Sequence, residues 1–443
     1  MIYDTIKIPT PRKVLIIMNT FTSKMDAYLD EYCRLYKFSG TLMVSLKGET
    51  IYKRHMGFAD IEHGIPVSDD SVFTIYSMSK PLCAIGFMKL WDRGLVSLDD
   101  HPGKYIPEAL GFHPELTYYN ILHHISSLPD FDDFPELRFK HSRKKPFDLR
   151  SMVKDMAESC EIKAPGEWRY ANINFAIPAL TIENITGMSY AEFMKKEIFE
   201  PLGMNDTVID HNGLLIPNKV RGYDINGHEL EGVTIDFDYF LGSGDAASTV
   251  NDIFTLSRAI MDKKLLSEAA WEHILTPNPG GDFGKGCTVT DWHGKKRITH
   301  NGGHLGFRTL HILLPEDDFD IILLSNSGYG NSRYSISEAV YTAFYGADEN
   351  AGRMTAMDSG YIMAQEQSGF DYKGFLPRLP DRVPLTPEEE EKVLGDHGYF
   401  FMEKEGDDYC LVMNYHRRLC CRHIGEGKFQ NTEIDETYGV DIE

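Results

Sequence analysis

The sequence predicts an α/β (α+β) protein: an antiparallel β-sheet flanked by helices, with an all-helical domain inserted into it. Three observations carry this. Residues 40–60, GTLMVSLKGETIYKRHMGFAD, read as two strands joined at Lys47-Gly48-Glu49. From about residue 94 to 240 the chain is rich in helix patterns and loops punctuated by Gly and Pro. Strand patterns then return at 285–291, 296–300, 307–315 and 319–326. Strands on both sides of a helical middle describe one split sheet domain, and adjacent hairpins favour antiparallel pairing.

In chain order, residues 24–37 have helical spacing, and the hairpin follows. Residues 76–93 open the helical part, which continues at 150–158 and at 175–200, the latter broken at Gly187. Helices are expected at 248–262 and 267–275, then the strand meander, then a helix at 334–345 that stops at Gly346. The α/β sheet domain is therefore assigned to 20–75 and 240–346, and the mostly helical domain to 76–239. Residues 347–385 have the look of a linker. TPEEEEKVL then starts a short helix: Thr386 caps it, Pro387 takes the first position, and acids sit on the positive end. Strand patterns at 398–404, 408–414 and 417–424 make 386–443 a small β-rich appendage.

Composition narrows the function classes. Of 443 residues, 42% are hydrophobic and 25% charged, which is ordinary globular usage. With 67 acidic against 45 basic residues the net charge is -22, so phosphate backbones and anionic membranes are poor partners. The seven cysteines are odd in number, irregularly spaced and form no C-x-x-C, which fits reduced thiols better than a disulfide framework. The longest apolar run near the start, Val14 to Met18, is shorter than a signal-peptide core or a membrane span. The expectation is a cytoplasmic protein with no nucleic-acid or membrane partner.

Three short motifs carry chemistry. In FTIYSMSKPLCAIGFMKLWDRG, 73–94, Ser77 and Lys80 stand three apart at the start of a helix. Such residues share a helix face, and burial beside a helix N-terminus pushes a lysine toward its neutral, basic form. A serine hydroxyl needs such a neighbour to become a nucleophile. The spacing alone proves little, since Ser142 and Lys145 have it within the charge run HSRKK. In PGEWRYANINFAIPAL, 165–180, Tyr170 and Asn172 are two apart, so in extended backbone both face one way. A phenol moves protons and an amide holds a carbonyl. Tyr118 and Asn120 repeat that spacing. In RITHNGGHLGF, 297–307, a strand end runs into glycines, whose N–H groups can hold an oxyanion. His300 and His304 are four apart, but the glycines forbid the helix that would make them a zinc pair, so no metal is assigned.

Taken together, S-x-x-K, P-G-x-W-x-Y-x-N and H-x-G-x-x-x-G-F in this order resemble the serine β-lactamase and penicillin-binding-protein superfamily, in its class C-like branch. HHISSLPDF (123–131), EPLGMNDT (200–207) and LLPEDDFDIILLSN (313–326) are similar to further segments of that family, and the likeness covers about residues 24–346. It implies Ser77 as the acylated nucleophile, Lys80 and Tyr170 sharing the general acid–base work, and Asn172 orienting the substrate. It implies His300 and Gly302 as a third wall, the N–H groups of Ser77 and Gly303 as the oxyanion hole, and no metal or organic cofactor.

Departures from the family pattern rank the reactions. Where lactamases carry Lys-Thr-Gly, this chain has His300-Asn301-Gly302, and a histidine is only partly charged near neutrality. It anchors a substrate carboxylate poorly, unless Arg308 faces the cleft and replaces the charge. SSLP also stands where the family's turn has a glycine. The first expectation is an esterase-like serine hydrolase acting on a small ester or amide. A D,D-peptidase, D-aminopeptidase or weak β-lactamase is the second, with an ester, amide or lactam as the small-molecule partner in either case. A non-catalytic ligand-binding or filament-forming relative is the third. The sequence leaves Lys80 or Tyr170 as the base, and the oligomeric state, open.

Overall fold

The computed structural model describes residues 11–36, 38–130, 148–160, 162–211, 214–223, 237–327, 332–346, 382–396, 400–413, 417–431 and 437–439. The charge run at 141–145 and most of the expected linker, 347–381, lie outside the described residues. The chain forms two compact units, one of residues Ser39–Gly328 and one of Met1–Phe38 with Tyr329–Glu443.

The larger unit is built on a six-stranded sheet whose neighbouring strands are all antiparallel. Its strands are β1 (Gly40–Leu46), β2 (Glu49–Met56), β3 (Thr288–Trp292), β4 (Lys295–His304), β5 (Phe307–Leu314) and β6 (Phe319–Ser325), in the order β2-β1-β6-β5-β4-β3. The first hairpin turns at Lys47-Gly48, both with positive φ (53° and 76°), a turn whose twist matches the strands it joins. Leu305-Gly306 does the same between β4 and β5 (36° and 81°). β1 pairs with β6, which lies far from it in sequence, with Met43 opposite Ile322 and Val44 opposite Ile321. All seven residues of β6 are buried, and Ile321–Leu324 present apolar side chains to both faces.

Helices cover one face. α1 (Ser79–Asp92) is apolar all round and buries Leu82, Cys83, Ala84, Ile85, Phe87, Met88 and Leu90. It packs on α2 (Ile173–Thr186), which ends at the left-handed Gly187. Ser189 then caps a new turn with a reciprocal Glu192 contact, so the expected break at Gly187 is a change of helix. α3 (Val250–Met261), capped by Thr249, lies on β1 and β6, and α4 (Glu268–Leu275), capped by Ser267, packs on α1. Mixed helices and antiparallel sheets are thus the fold class expected.

Two strand boundaries differ from expectation. β4 runs on to His304 through Gly302 and Gly303, because pairing with β5 supplies the ladder that glycine propensity disfavours. β3 starts at Thr288, since Lys285-Gly286 make a turn in which Gly286 has φ 80°.

In the smaller unit, helix Pro11–Tyr36 packs on helix Ser332–Tyr345 through Tyr28 Oη donating to Ser335 O (3.3 Å) and edge-to-face Phe21 and Phe344 (5.6 Å). Thr386 and Glu389 form a capping box for helix Pro387–Val393. A second six-stranded antiparallel sheet follows in sequential order from Gly395 to Gly439, and its last strands, Lys428–Asn431 and Thr437–Gly439, are too short for the sequence pattern to mark. Among the described residues no helix is long and apolar enough to cross a membrane.

One close approach fixes the sheet to the segment that carries Ser77. Thr309 Oγ1 on β5 donates to Ile75 O at 3.1 Å, and Gly302 on β4 lies so near that a Cβ there would sit 2.0 Å from the same oxygen. Gly302→Ala must therefore push β4 off this segment and should cost about 2 kcal/mol. Gly303→Ala, one residue on and exposed, should cost less than about 0.5 kcal/mol. Equal denaturant midpoints for the two variants would contradict this contact.

Candidate active site

Ser77 sits in a tight 3-10 turn, Tyr76–Met78, directly before α1. Tyr76 has φ 44°, a left-handed conformation that costs a tyrosine about 1–3 kcal/mol. Its ring offsets that cost by packing against Phe240 (6.1 Å), His304 (5.4 Å) and Phe307 (5.8 Å). The turn leaves Ser77 half-buried while Ser79 points inward, where its Oγ accepts from Ala246 N at 2.9 Å.

Lys80 is fully buried on the first turn of α1. Its Nζ donates to Ser77 Oγ (3.1 Å), Asn172 Oδ1 (2.9 Å) and Ser243 O (2.7 Å). Desolvation brings it down to about 7, and Asp130, Cys83 and Asp245 only partly oppose that. Asp245 offers little compensation because burial pushes its own carboxyl up to about 8. The partner geometry suits the neutral amine. Two N–H groups remain on the two carbonyl oxygens, which can only accept, and the lone pair is left for the Ser77 hydroxyl proton.

Tyr170 donates from Oη to Ser77 Oγ at 2.8 Å, and its ring lies 4.8 Å from Lys80 Nζ. Beneath it, buried His124 stacks at 4.5 Å and 30°. His124 Nδ1 accepts from Ala171 N (3.2 Å) and Asn174 Nδ2 (2.9 Å), so the ring is held as the Nε2–H tautomer, and burial keeps it neutral by lowering it well below the usual histidine range. Asn172 is held from the other side. Asp130 accepts from its backbone N (2.9 Å) and from its Nδ2 (3.1 Å), which turns Oδ1 toward Lys80 and leaves one Nδ2 proton for a ligand.

The third wall is β4. Thr309, His311 and Phe307 point to the helix-covered face, and His300, Gly302 and His304 across the ladder share it. His300 Nδ1 donates to Asn301 O at 2.7 Å, and its ring meets Phe283 edge-on at 6.1 Å. In the two-residue hairpin His304 and Phe307 form the bonded closing pair, so Gly303, opposite Arg308, turns its N–H away from β5. β3 begins at Thr288, opposite Thr299, so that outer edge carries no described strand from His300 onward.

The structure thus brings Ser77, Lys80, Tyr170 and Asn172 into one hydrogen-bonded cluster and sets His300, Gly302 and Gly303 along the adjoining strand. It does not bring Arg308 there. Arg308 alternates with Phe307 and Thr309, so it lies on the opposite face of the sheet, with Nη1 donating to Phe307 O at 2.7 Å. It cannot replace a cation beside His300. The competing pair is also separated: Tyr118 is buried with its hydroxyl on Thr181 Oγ1, and Asn120 closes a capping box with Thr117. Sequence reasoning missed Asp130, His124 and the Ser243 carbonyl. The first two lie within the quoted segment 123–131, whereas a backbone carbonyl has no sequence signal.

Comparison with known proteins agrees with this arrangement. A penicillin-binding protein of Bacillus subtilis is 29% identical over 313 residues, covering 66% of this chain and 68% of that protein. An esterase of Burkholderia gladioli is 28% identical over 251 residues, covering 49% of this chain and 62% of the esterase. The octameric penicillin-binding protein homologue of Pyrococcus abyssi superposes with a TM-score of 0.63 at 21% identity, covering 94% of both chains, which speaks for the fold. The family model described as Beta-lactamase matches residues 25–341. The chain belongs to the Beta-lactamase family, whose members include serine hydrolases related to penicillin-binding proteins and esterases.

Proposed function

We propose that this chain is an esterase-like serine hydrolase that forms an acyl-enzyme at Ser77 from a small ester or amide. The observation that carries the reading is Lys80: fully buried, 3.1 Å from Ser77 Oγ, and lowered to about 7 by desolvation. Neutral Lys80 takes the hydroxyl proton as Ser77 Oγ attacks the substrate carbonyl carbon. The N–H groups of Ser77 and Gly303 receive the developing oxyanion. Tyr170, on the same oxygen, passes a proton to the departing alcohol or amine as the carbon–heteroatom bond breaks. Water then attacks the acyl carbon, giving its proton back through the same groups, and Ser77 is released with a carboxylic acid as product.

The ester preference rests on the wall. His300, whose Nδ1 donates to Asn301 O, carries no permanent charge. Arg308, on the far face, adds none. A neutral substrate suits this wall better than one bearing a carboxylate. The esterase relative points the same way, although the penicillin-binding relative is no more distant.

Turnover of p-nitrophenyl butyrate beside a chromogenic cephalosporin tests this. The ester should be the better substrate, and Ser77→Ala should lower its kcat/KM more than about 1,000-fold. Rapid cephalosporin opening, or ester turnover untouched by the substitution, would overturn the reading. Because the base is the deprotonated lysine, kcat/KM should rise about tenfold per pH unit below about 7 and level off above it. Asp130→Ala frees Asn172 and removes a charge that favours the ammonium. It should lower kcat on the order of 100-fold and move the acid limb to lower pH. A limb that moved upward would contradict the assigned sign.

A further inference from the structure

A second lysine is buried away from the Ser77 cluster. Lys285 is 1% exposed, in the turn before β3, and it lines a cleft of about 350 Å³ with Tyr119, His123, Ala269, Glu272, His273, Thr276 and Pro277. That volume is within the roughly 300–1,000 Å³ of small-molecule sites. Lys285 Nζ donates to His273 O (2.8 Å) and toward His123 Nε2 (3.3 Å), and stands 5.3 Å from the Tyr119 ring centre. All three are neutral acceptors. No carboxylate among the described residues is within ion-pair distance of it, whereas a buried ammonium ordinarily has a counter-ion.

The surroundings fit an incoming anion. His123 Nδ1 donates to Tyr119 O at 2.8 Å, and burial lowers this histidine to about 4, so it remains neutral and does not compete for the anion. Burial also lowers Lys285 to about 8, a burden that a negative ligand would relieve. Tyr119, Ala269 and Pro277 provide apolar wall. Glu272 contributes one negative charge at the exposed rim, which disfavours a multiply charged ligand.

We propose that the Lys285–His123 cleft is a second ligand site that takes a small organic monocarboxylate, its carboxylate on Lys285 Nζ and its apolar body against Tyr119 and Pro277. The site does not depend on Ser77 chemistry, so it stands or falls apart from the proposed hydrolase activity.

Calorimetric titration of the full chain with sodium benzoate, and separately with inorganic phosphate, tests it. Wild type and Ser77→Ala should bind benzoate with equal affinity, and phosphate should not bind. Lys285→Met should weaken benzoate binding about tenfold or more, the loss of one charge-assisted hydrogen bond. Ala269→Trp, at an exposed helix position, fills the cleft without touching the core and should weaken binding as strongly, so the test holds even if Lys285→Met does not fold. Absence of benzoate binding, benzoate binding unchanged in Ala269→Trp, or binding of phosphate in place of benzoate would each overturn the proposal.

Discussion

The structure turns on the burial of one ammonium group. Lys80 lies on the first turn of α1, with no solvent and no adjacent ionised partner to hold its charge fully. Its three acceptors are a hydroxyl, an amide oxygen and a peptide carbonyl. An ammonium so placed loses the solvation that keeps lysine protonated at ordinary pH, and the dipole of α1 adds to the effect. The positive charge that a lysine would bring to a helix start is thereby exchanged for a basic amine beside a serine.

Holding that lysine requires elements from distant parts of the chain. The 3-10 turn before α1 supplies Ser77, the first turn of α1 supplies Lys80, the start of α2 supplies Asn172, the loop before Ala246 supplies the Ser243 carbonyl, and Asp130 fixes Asn172. The sheet sets the remaining wall, because Thr309 and Gly302 press β4 and β5 against Ile75, two residues before the serine. Backbone strain at Tyr76 and ring stacking at His124 belong to the same constraint: each places one of the two oxygens, Ser77 Oγ and Tyr170 Oη, that meet at 2.8 Å.

Much of this was legible in the sequence where the signal is local. The hairpin at 40–56 follows from two strand patterns joined at Lys47-Gly48, and the α1 start follows from a Ser-x-x-Lys pair before an apolar helix. The flanks of Tyr170 distinguished it from Tyr118, which the fold buries against Thr181. What failed depends on pairing rather than on composition. Arg308 looked like a cation for the cleft, but a two-residue turn at Leu305-Gly306 sets it opposite Gly303, on the far face from Thr309. The alternation of β5 contained that information once the turn length was known. Asp130 was harder to see: it reaches the site through a backbone N–H and an amide of Asn172, 42 residues away. Lys285 gave a false signal as part of a strand, because its burial comes from α4 and the His123 loop.

Direct titration of Lys80 tests the central claim most plainly. Carbon-13 NMR of the lysine Cε signals, with Lys80→Met and Lys285→Met spectra to assign the two buried groups, reports each protonation state separately. The account predicts a Cε resonance, absent from Lys80→Met, that titrates near pH 7. A Lys80 signal that stays in the ammonium position until the surface lysines titrate would contradict it.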